Sequence, residues 1–327
     1  MPIVTHDLLV DITGNVELPG KLHVAVTIYA PMIMPAGRPI VMFGFPGGGY
    51  ARGYYDLDLP GCGYSQARHH AANGIVFVAV DHLGVGESSL NQDEIPADIM
   101  AAANSAAISH VLKKLASGAI PCVAPIRDPL RIGIGQSMGA CFLLLMQAEH
   151  HPFDAIGVLG FSAIQTGPRK RPGQKLANGD WEQCLPGLNP VEAPMTRDDW
   201  VWAFHHDSEP REIVERDMEG GYPGRSGPVI PPWGARNRPH RGTPITARGW
   251  ITPVCARIDV PIFIGNGERD VVPDPLKEPA YYPLATDITL LTVPLMAHMH
   301  NFAGTRAILW NRLAAWCGVL RDQAANQ

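Results

Sequence analysis

The sequence has little charge and no long apolar run, and both shortages narrow what the chain can be. Charged residues make up 17% of the 327 residues, and the formal net charge is −5. This balance gives no reason to expect nucleic acid or an anionic membrane as a partner. No run of about 18 uninterrupted apolar residues occurs, so no membrane span is expected. Residues 1–7 lack a basic region followed by an apolar stretch, so we expect a cytoplasmic chain without a signal peptide.

Metal-binding patterns are also missing. Six cysteines are scattered without a Cys-x-x-Cys pair, which predicts reduced thiols and neither a disulfide framework nor a zinc site. Adjacent histidine pairs such as His69-His70 diverge by roughly 100° in a helix and point to opposite faces of a strand. His298 and His300 lack companion ligands at zinc spacing. We therefore expect neither a metal nor a cofactor.

Apolar runs of strand length alternate with helical patterns over most of the chain. Strands are predicted over residues 7–12, 21–29, 39–43, 75–80, 129–134, 155–159, 260–264 and 288–293. Helices are predicted over residues 65–73, 96–118, 140–146 and 305–320, the last with Ile308, Leu309, Leu313 and Trp316 at helical spacing. The first two strands suit an antiparallel pair, and the others form a mostly parallel sheet covered by helices on both faces.

The segment 165–250 interrupts this rhythm. It is rich in proline, glycine and arginine, and its clearest helical stretch runs near 198–218. A gap of this length between two sheet strands is not an ordinary connection. Five tryptophans in this segment favour packing against the rest of the protein: Trp181, Trp200, Trp202, Trp233 and Trp250. We therefore predict an inserted cap over 165–250 and a core formed by 1–164 and 251–327.

The most informative motif is Gly135-Gln136-Ser137-Met138-Gly139, which lies between a predicted strand and a predicted helix. Strand, Gly-x-Ser-x-Gly and helix are the context of a nucleophile elbow, in which a sharp turn exposes the serine hydroxyl. Glycines are needed where strand and helix approach closely. Ser137 is therefore the candidate nucleophile.

A serine nucleophile needs a histidine to accept its proton and a carboxylate to orient that histidine. Asp270 follows the seventh predicted strand, and His298 follows the last one. The order Ser, Asp, His at the carboxyl ends of strands suits a triad in an open α/β sheet. Glu268 is the competing acid and His300 the competing base.

Donors are also needed for the oxyanion that develops on the substrate carbonyl. One is expected from the backbone N–H of Met138, the residue after the nucleophile. The other is expected from the glycine-rich loop after the third strand, where either Gly48 or Phe45 could supply it. A run such as Gly47-Gly48-Gly49 lets backbone approach substrate closely.

Together these motifs resemble the α/β-hydrolase family. The matching stretches are 135–139, Asp81-His-Leu-Gly-Val-Gly-Glu-Ser88, Gly267-Glu-Arg-Asp-Val-Val-Pro273 and Pro294-Leu-Met-Ala-His298. The resemblance implies an eight-stranded sheet, a cap after the sixth strand, and hydrolysis of esters, lactones, amides or related bonds. The chain departs from the family at Phe43-Gly44-Phe45-Pro46, where His-Gly is frequent. The small Ala297 before His298 favours His298 over His300.

A narrower resemblance concerns the substrate. The stretch from Phe45 to Tyr55, together with His298-Met-His-Asn-Phe302, resembles bacterial lactonases that act on the macrocyclic mycotoxin zearalenone. The chain is accordingly expected to be a cofactor-free serine hydrolase of a small-molecule ester or lactone, and a homo-oligomer is left open. An amidase, carbon–carbon bond hydrolase or perhydrolase on the same triad is the alternative, and a ligand receptor with vestigial turnover is another. Substrate contacts are predicted at Phe45, Tyr50, Tyr54, Gln136, Trp202 and His300. The basic run 169–171 is expected to be a solvated face of the cap.

Overall fold

The fold is built on one eight-stranded sheet. A computed structural model describes residues 2–324, except 62, 91, 93, 173–194, 223, 240–244 and 246. The strands are β1 (Ile3–Asp11), β2 (His23–Pro31), β3 (Ile40–Phe45), β4 (Ile75–Val80), β5 (Leu130–Gln136), β6 (Ala155–Leu159), β7 (Ile262–Arg269) and β8 (Ile288–Ala297). No helix in the described ranges is long and apolar enough to cross a membrane.

The order of strands in the sheet is β1-β2-β4-β3-β5-β6-β7-β8. Strand β2 pairs antiparallel with both β1 and β4, and every later pair is parallel. The predicted antiparallel start and parallel remainder are therefore confirmed. Because β3 to β8 run the same way, their carboxyl ends meet at one edge of the sheet, where ligands bind in open α/β folds.

Seven α-helices are present in the described residues: α1 (Gln66–Ala72), α2 (Ala97–Ser117), α3 (Met138–His150), α4 (Arg197–Phe204), α5 (Arg211–Met218), α6 (Thr252–Cys255) and α7 (Arg306–Ala324). Apolar residues of α2, α3 and α6 form one core on the first face of the sheet. Those of α1, α4, α5 and α7 belong to a second core on the other face. Strands such as β3 and β4 are buried throughout, which explains why they read as continuous apolar runs.

Two details of the helices differ from the sequence-based prediction. The single helix expected over 198–218 is two helices, because Pro210 interrupts the pattern and serves as the N-cap of α5. In α7, Leu309, Leu313 and Trp316 are buried as expected, but Ile308 is 45% exposed. Ile308 and Leu309 are adjacent, so the two side chains diverge by roughly 100° around the helix.

The segment between β6 and β7 carries α4, α5 and α6. Of its predicted packing tryptophans, Trp233 is fully buried, Trp200, Trp202 and Trp250 are half-buried, and Trp181 lies outside the described residues. Gly49 and Ala51, beyond β3, form backbone hydrogen bonds with Ala235 and Trp233 at 2.9 Å each. The segment is thus joined to the sheet at the carboxyl end of β3.

The contact between α3 and the loop after β3 allows a stability test. A Cβ added to Gly139 would lie 2.1 Å from the carbonyl oxygen of Phe45, whereas one added to Gly318 in α7 would meet nothing within 4 Å. We expect Gly139→Ala to lower the free energy of unfolding by about 1–3 kcal/mol or more, because backbone must move. Gly318→Ala is the matched control and should raise it by roughly 0.5–1 kcal/mol. Urea denaturation measures both, and equal stabilities would contradict the contact.

Candidate active site

Ser137 lies at a strained turn between β5 and α3. Its backbone has φ 54° and ψ −121°, in a region that residues other than glycine rarely adopt. The turn is held from one side by the Ser137 N–H, which donates to the carbonyl of Leu159 at 2.9 Å. A Cβ at Gly135 would lie 2.5 Å from the Ala140 nitrogen, so only glycine fits there. The chain therefore folds into a tight elbow that presents Ser137 at the carboxyl edge of the sheet.

Asp270 lies directly after β7 and is a fully buried carboxylate with four donors. Backbone N–H groups of Gly267 and Val271 donate to Oδ2 and Oδ1, each at 2.8 Å. The ring of His298 donates from Nδ1 to Oδ1 at 2.7 Å, and His300 donates from Nε2 to Oδ2 at 2.6 Å. One anion therefore orients two histidines.

His298 follows β8 and is buried. Its Nδ1 proton is assigned from the carboxylate partner, which leaves Nε2 as an acceptor. The ring of Phe204, at the end of α4, lies 4.7 Å from the His298 ring, measured between centroids. The Gln136 side-chain nitrogen donates to the His298 carbonyl at 3.0 Å and lies 3.4 Å from Nε2. Ring orientation and tautomer are thus fixed by several neighbours.

Burial and pairing act against each other in this group. Burial alone would raise the pKa of Asp270, but the interactions with His300 and His298 outweigh it and hold that pKa below its usual range. For His298, burial is the largest effect and lowers the pKa, although Asp270 opposes this change. His298 is therefore held neutral, as a proton acceptor must be.

Ser137 and His298 share the wall of a cavity of about 200 Å³. Met138 and Gly48 belong to the same wall. The Met138 N–H is in the first turn of α3, where backbone donors have no partner within the helix. Ser137, His298, the first residue of α3 and the glycine-rich loop therefore border one space. In the ranges that the structure describes, no group of three or more His, Cys, Asp or Glu side chains could hold a metal ion.

Comparisons with known proteins support the fold. No protein-family model matches the sequence, and no curated protein does. Among solved structures, a thermophilic esterase from Thermogutta terrifontis is similar, with a TM-score of 0.58 and 14% identity over 96% of this chain and 99% of that one. The peroxisomal α/β-hydrolase Lpx1 of Saccharomyces cerevisiae gives a TM-score of 0.57 and 12% identity over 99% and 89% of the two chains.

A serine hydrolase involved in carbazole degradation gives a TM-score of 0.56 and 13% identity, over 97% of this chain and all of that one. All three align with nearly the whole chain. The chain has the α/β-hydrolase fold. The eight-stranded, mostly parallel sheet expected from the sequence is thereby confirmed.

Within this α/β-hydrolase fold, two of the predicted substrate contacts line the cavity. Tyr50 contributes its ring, and its hydroxyl donates to Asp217 at 2.6 Å. Gln136 lines the wall beside Ser137, and its side-chain carbonyl oxygen Oε1 is buried without a hydrogen-bond partner. Both residues therefore share the cavity wall with Ser137.

The other four predicted contacts lie outside the described wall of the cavity. Phe45 packs in the core against His82 and Phe153. Tyr54 is buried, and its carbonyl accepts from Asn301 Nδ2 at 3.0 Å.

Trp202 and His300 also face other groups. Trp202 lies against the guanidinium of Arg269 at 4.4 Å, and His300 faces Asp270 from outside the cavity. Trp200 lines the cavity where Trp202 was expected. Residues two apart in a helix differ by roughly 200° in direction, so only one of the two can face the cavity.

Two of the competing site residues, Glu268 and Phe45, are separated from this group, whereas His300 contacts Asp270. Glu268 is 43% exposed and pairs with His206 at 3.1 Å, so it does not approach His298. Of the two loop positions considered for the oxyanion, Gly48 lines the cavity and Phe45 does not.

Sequence reasoning missed two residues beside the acid. Arg169 was expected on a solvated face, yet its guanidinium donates to the carbonyls of Asp270 at 2.9 Å and Val272 at 3.1 Å. Gly160, with φ 54°, lies beneath the acid–histidine pair, where an added Cβ would be 3.1 Å from both Asp270 Oδ1 and His298 Nδ1. Gly160 follows β6, and this position after a strand was the one available signal.

The shared carboxylate predicts a loss of stability when its second histidine is removed. His300→Ala would leave Asp270 Oδ2 buried with one donor fewer, which we expect to cost about 2–5 kcal/mol in the free energy of unfolding. Glu268→Gln changes a carboxylate that is 43% exposed and contacts His206, and it is the control, with an expected change within about 0.5 kcal/mol. Both are measured by urea denaturation at neutral pH. A His300→Ala protein as stable as the control would contradict the hydrogen bond to Asp270.

Proposed function

We propose that this chain is a cofactor-independent serine hydrolase that cleaves a carboxylic ester or lactone through an acyl-enzyme. The observation that carries the proposal is the strained Ser137 elbow in one cavity wall with a neutral His298 whose Nδ1 is held by Asp270. A backbone strained in this way persists only where the surrounding contacts enforce it, and such positions cluster at active sites. The solved structures of low sequence identity support the fold. Support for the activity comes from the geometry of the site.

The reaction follows from the positions of these atoms. Ser137 Oγ attacks the carbonyl carbon while its proton passes to Nε2 of His298. His298 then gives that proton to the departing alkoxide, and the acyl group remains on Ser137. Water, deprotonated by His298, then attacks the acyl-enzyme, and His298 returns that proton to Ser137 Oγ as the bond to the acyl group breaks and the acid is released. The Met138 and Gly48 N–H groups donate to the oxyanion in both halves of the reaction.

One local rearrangement precedes proton transfer. In the described residues, no hydrogen bond joins Ser137 Oγ to His298 Nε2, and the Gln136 amide nitrogen contacts that ring nitrogen at 3.4 Å. We infer that a rotation of the Ser137 side chain brings Oγ to Nε2. Catalytic hydrogen bonds often form fully only with substrate bound.

We assign the segment 165–250 the role of a cap that selects the substrate. Trp200, Phe204 and Tyr222 form an apolar, ring-rich side of the cavity. Such a wall suits a bulky apolar ester or lactone, and a macrocyclic lactone such as zearalenone belongs to that class. A panel of esters, lactones and amides therefore identifies the preferred bond.

The nucleophile is tested with a fluorescent phosphonate and an aryl ester. The wild-type protein should be labelled on Ser137, as located by mass spectrometry of its peptides, and should release the aryl alcohol. Ser137→Ala should lose labelling and about 10⁴- to 10⁶-fold in kcat. Cys141→Ser, in the buried part of α3, is the control and should remain labelled.

Two outcomes would refute the proposal in different ways. Labelling without turnover of any ester, lactone or amide would favour a receptor with a vestigial site. A folded Ser137→Ala protein that keeps a tenth of the activity would exclude Ser137 as the nucleophile.

Cap selectivity is tested with a matched pair of tryptophans in α4. Trp200→Ala should change the ratio of kcat/KM between a bulky and a small aryl ester by about 10-fold, because Trp200 lines the cavity. Trp202→Ala should leave that ratio within roughly 2-fold, because Trp202 lies on Arg269 instead. Steady-state kinetics with both esters give the ratios. A larger change of the ratio in Trp202→Ala than in Trp200→Ala would show that the cavity wall at Trp200 does not select the substrate.

A further inference from the structure

A second buried charged cluster lies where the inserted segment meets the glycine-rich loop after β3. At its centre is Asp217 of α5, which is fully buried. Its Oδ2 accepts from the Tyr50 hydroxyl at 2.6 Å and from His205 Nε2 at 3.0 Å. Its Oδ1 accepts from Arg225 at 3.1 Å and from Trp233 Nε1 at 3.2 Å. None of these groups takes part in the reaction described above.

Arg225 connects this cluster to the loop backbone. It is fully buried, and its Nε donates to the carbonyl of Gly49 at 2.9 Å. A second nitrogen donates to the Asp217 carbonyl at 2.8 Å. The guanidinium carbon lies 5.0 Å from the centre of the Tyr50 ring and 4.9 Å from that of Tyr222, and these two rings are neighbours, with centroids 5.4 Å apart. Each of the three guanidinium nitrogens therefore donates to at least one acceptor.

Arg225 and Asp217 bind the loop after β3 at two adjacent residues. Arg225 holds the Gly49 carbonyl, and Asp217 holds the hydroxyl of Tyr50. The Gly49 carbonyl also accepts from the Ala235 N–H at 2.9 Å. Gly48, the candidate oxyanion donor, is the next residue before this doubly held peptide. Burial would raise the pKa of Asp217, but its hydrogen bond and charge interaction with His205, followed by Arg225 and Tyr50, lower it, so the anion persists.

A buried ion pair is a costly way to obtain stability, since apolar residues of similar volume often do as well. Such a pair instead fixes directions, because a buried charge tolerates few arrangements of its partners. The directions fixed here are those of a loop in the wall of the reactive cavity. This points to a role in setting geometry.

We propose that Arg225 and Asp217 are positioning residues that hold residues 47–50 so that the Gly48 N–H faces the substrate oxyanion. The inference rests on the proposed hydrolase function. It gives the inserted segment a part in the chemical step, in addition to substrate selection.

Three variants remove different numbers of the hydrogen bonds that hold Gly49 and Tyr50. Arg225→Met removes all donors and leaves Asp217 paired with His205. Arg225→Lys keeps the positive charge but lacks the several guanidinium N–H groups that donate to Gly49 and Asp217 at the same time. Tyr50→Phe removes one hydroxyl and should fold even if the others do not. The matched control is Asp154→Asn, which breaks a half-buried pair with Arg131 at the amino end of β5, far from the cavity.

Each variant is compared by kcat, KM, the rate of phosphonate labelling, and inhibition by the neutral product alcohol. Loss of an oxyanion donor costs about 10²- to 10³-fold in kcat, so a displaced donor should cost roughly 10- to 100-fold in Arg225→Met. The labelling rate should fall in parallel, because the phosphoryl oxygen occupies the same place as the oxyanion. KM and the inhibition constant should change by less than about 3-fold, and Arg225→Lys should lie between Arg225→Met and the wild type.

Asp154→Asn should lower the melting temperature while its kcat stays within about 2-fold of the wild type. Positioning is overturned if folded Arg225→Met and Tyr50→Phe proteins keep wild-type kcat and labelling rates. It is also overturned if KM rises and kcat does not. Both outcomes would leave the cluster with a structural role.

Failure of the underlying function has a different signature. If the wild-type protein is neither labelled nor active, the proposed hydrolase function fails, and amide hydrogen exchange in the peptide that contains residues 47–51 decides the positioning. Exchange there should accelerate at least 10-fold in Arg225→Met and Tyr50→Phe but not in Asp154→Asn. Equal exchange in all proteins would show that the cluster does not hold this loop.

Discussion

The close approach of α3 to the end of β3 is the constraint on which the site depends. An added Cβ on Gly139 would lie 2.1 Å from a backbone oxygen, so the two backbones are almost in contact. This proximity forces the sharp turn that strains Ser137, and it sets the start of α3 beside the glycine-rich loop. The candidate nucleophile and the Met138 N–H are therefore positioned by backbone packing, and the same contact brings the loop that carries Gly48 close to them. The candidate acid Asp270 and the candidate base His298 follow the neighbouring strands β7 and β8.

Much of this arrangement could be predicted from the sequence, because buried parallel strands read as apolar runs and functional groups follow their carboxyl ends. The strands at 75–80 and 155–159 have the predicted bounds. Ser137, Asp270 and His298 follow β5, β7 and β8 in the predicted order, and the structure brings Asp270 and His298 into contact. Their catalytic roles stay predictions.

The remaining details depend on the directions of side chains and on contacts between residues far apart in sequence. Local sequence patterns carry neither kind of information. His298 and His300 are two residues apart, and only the fold separates the one in the cavity wall from the one outside it. Trp200 and Trp202 are distinguished only by the direction in which α4 turns each side chain. Arg169 lies about a hundred residues from the acid loop it holds, so no neighbouring residue signals its role. The same applies to the contact of Arg225 with Gly49, 176 residues apart in sequence.

The contacts of Gly49 and Tyr50 with the inserted segment also limit how the parts of this protein can be exchanged. A foreign insert grafted onto this sheet would leave the Gly49 carbonyl and the Tyr50 hydroxyl without their present partners, both in buried surroundings. The interchangeable module is consequently larger than the insert itself. It comprises the loop 47–50 together with the stretch from Asp217 to Ala235, and a recombinant that separates these two pieces inherits the sheet without the geometry of its reactive edge.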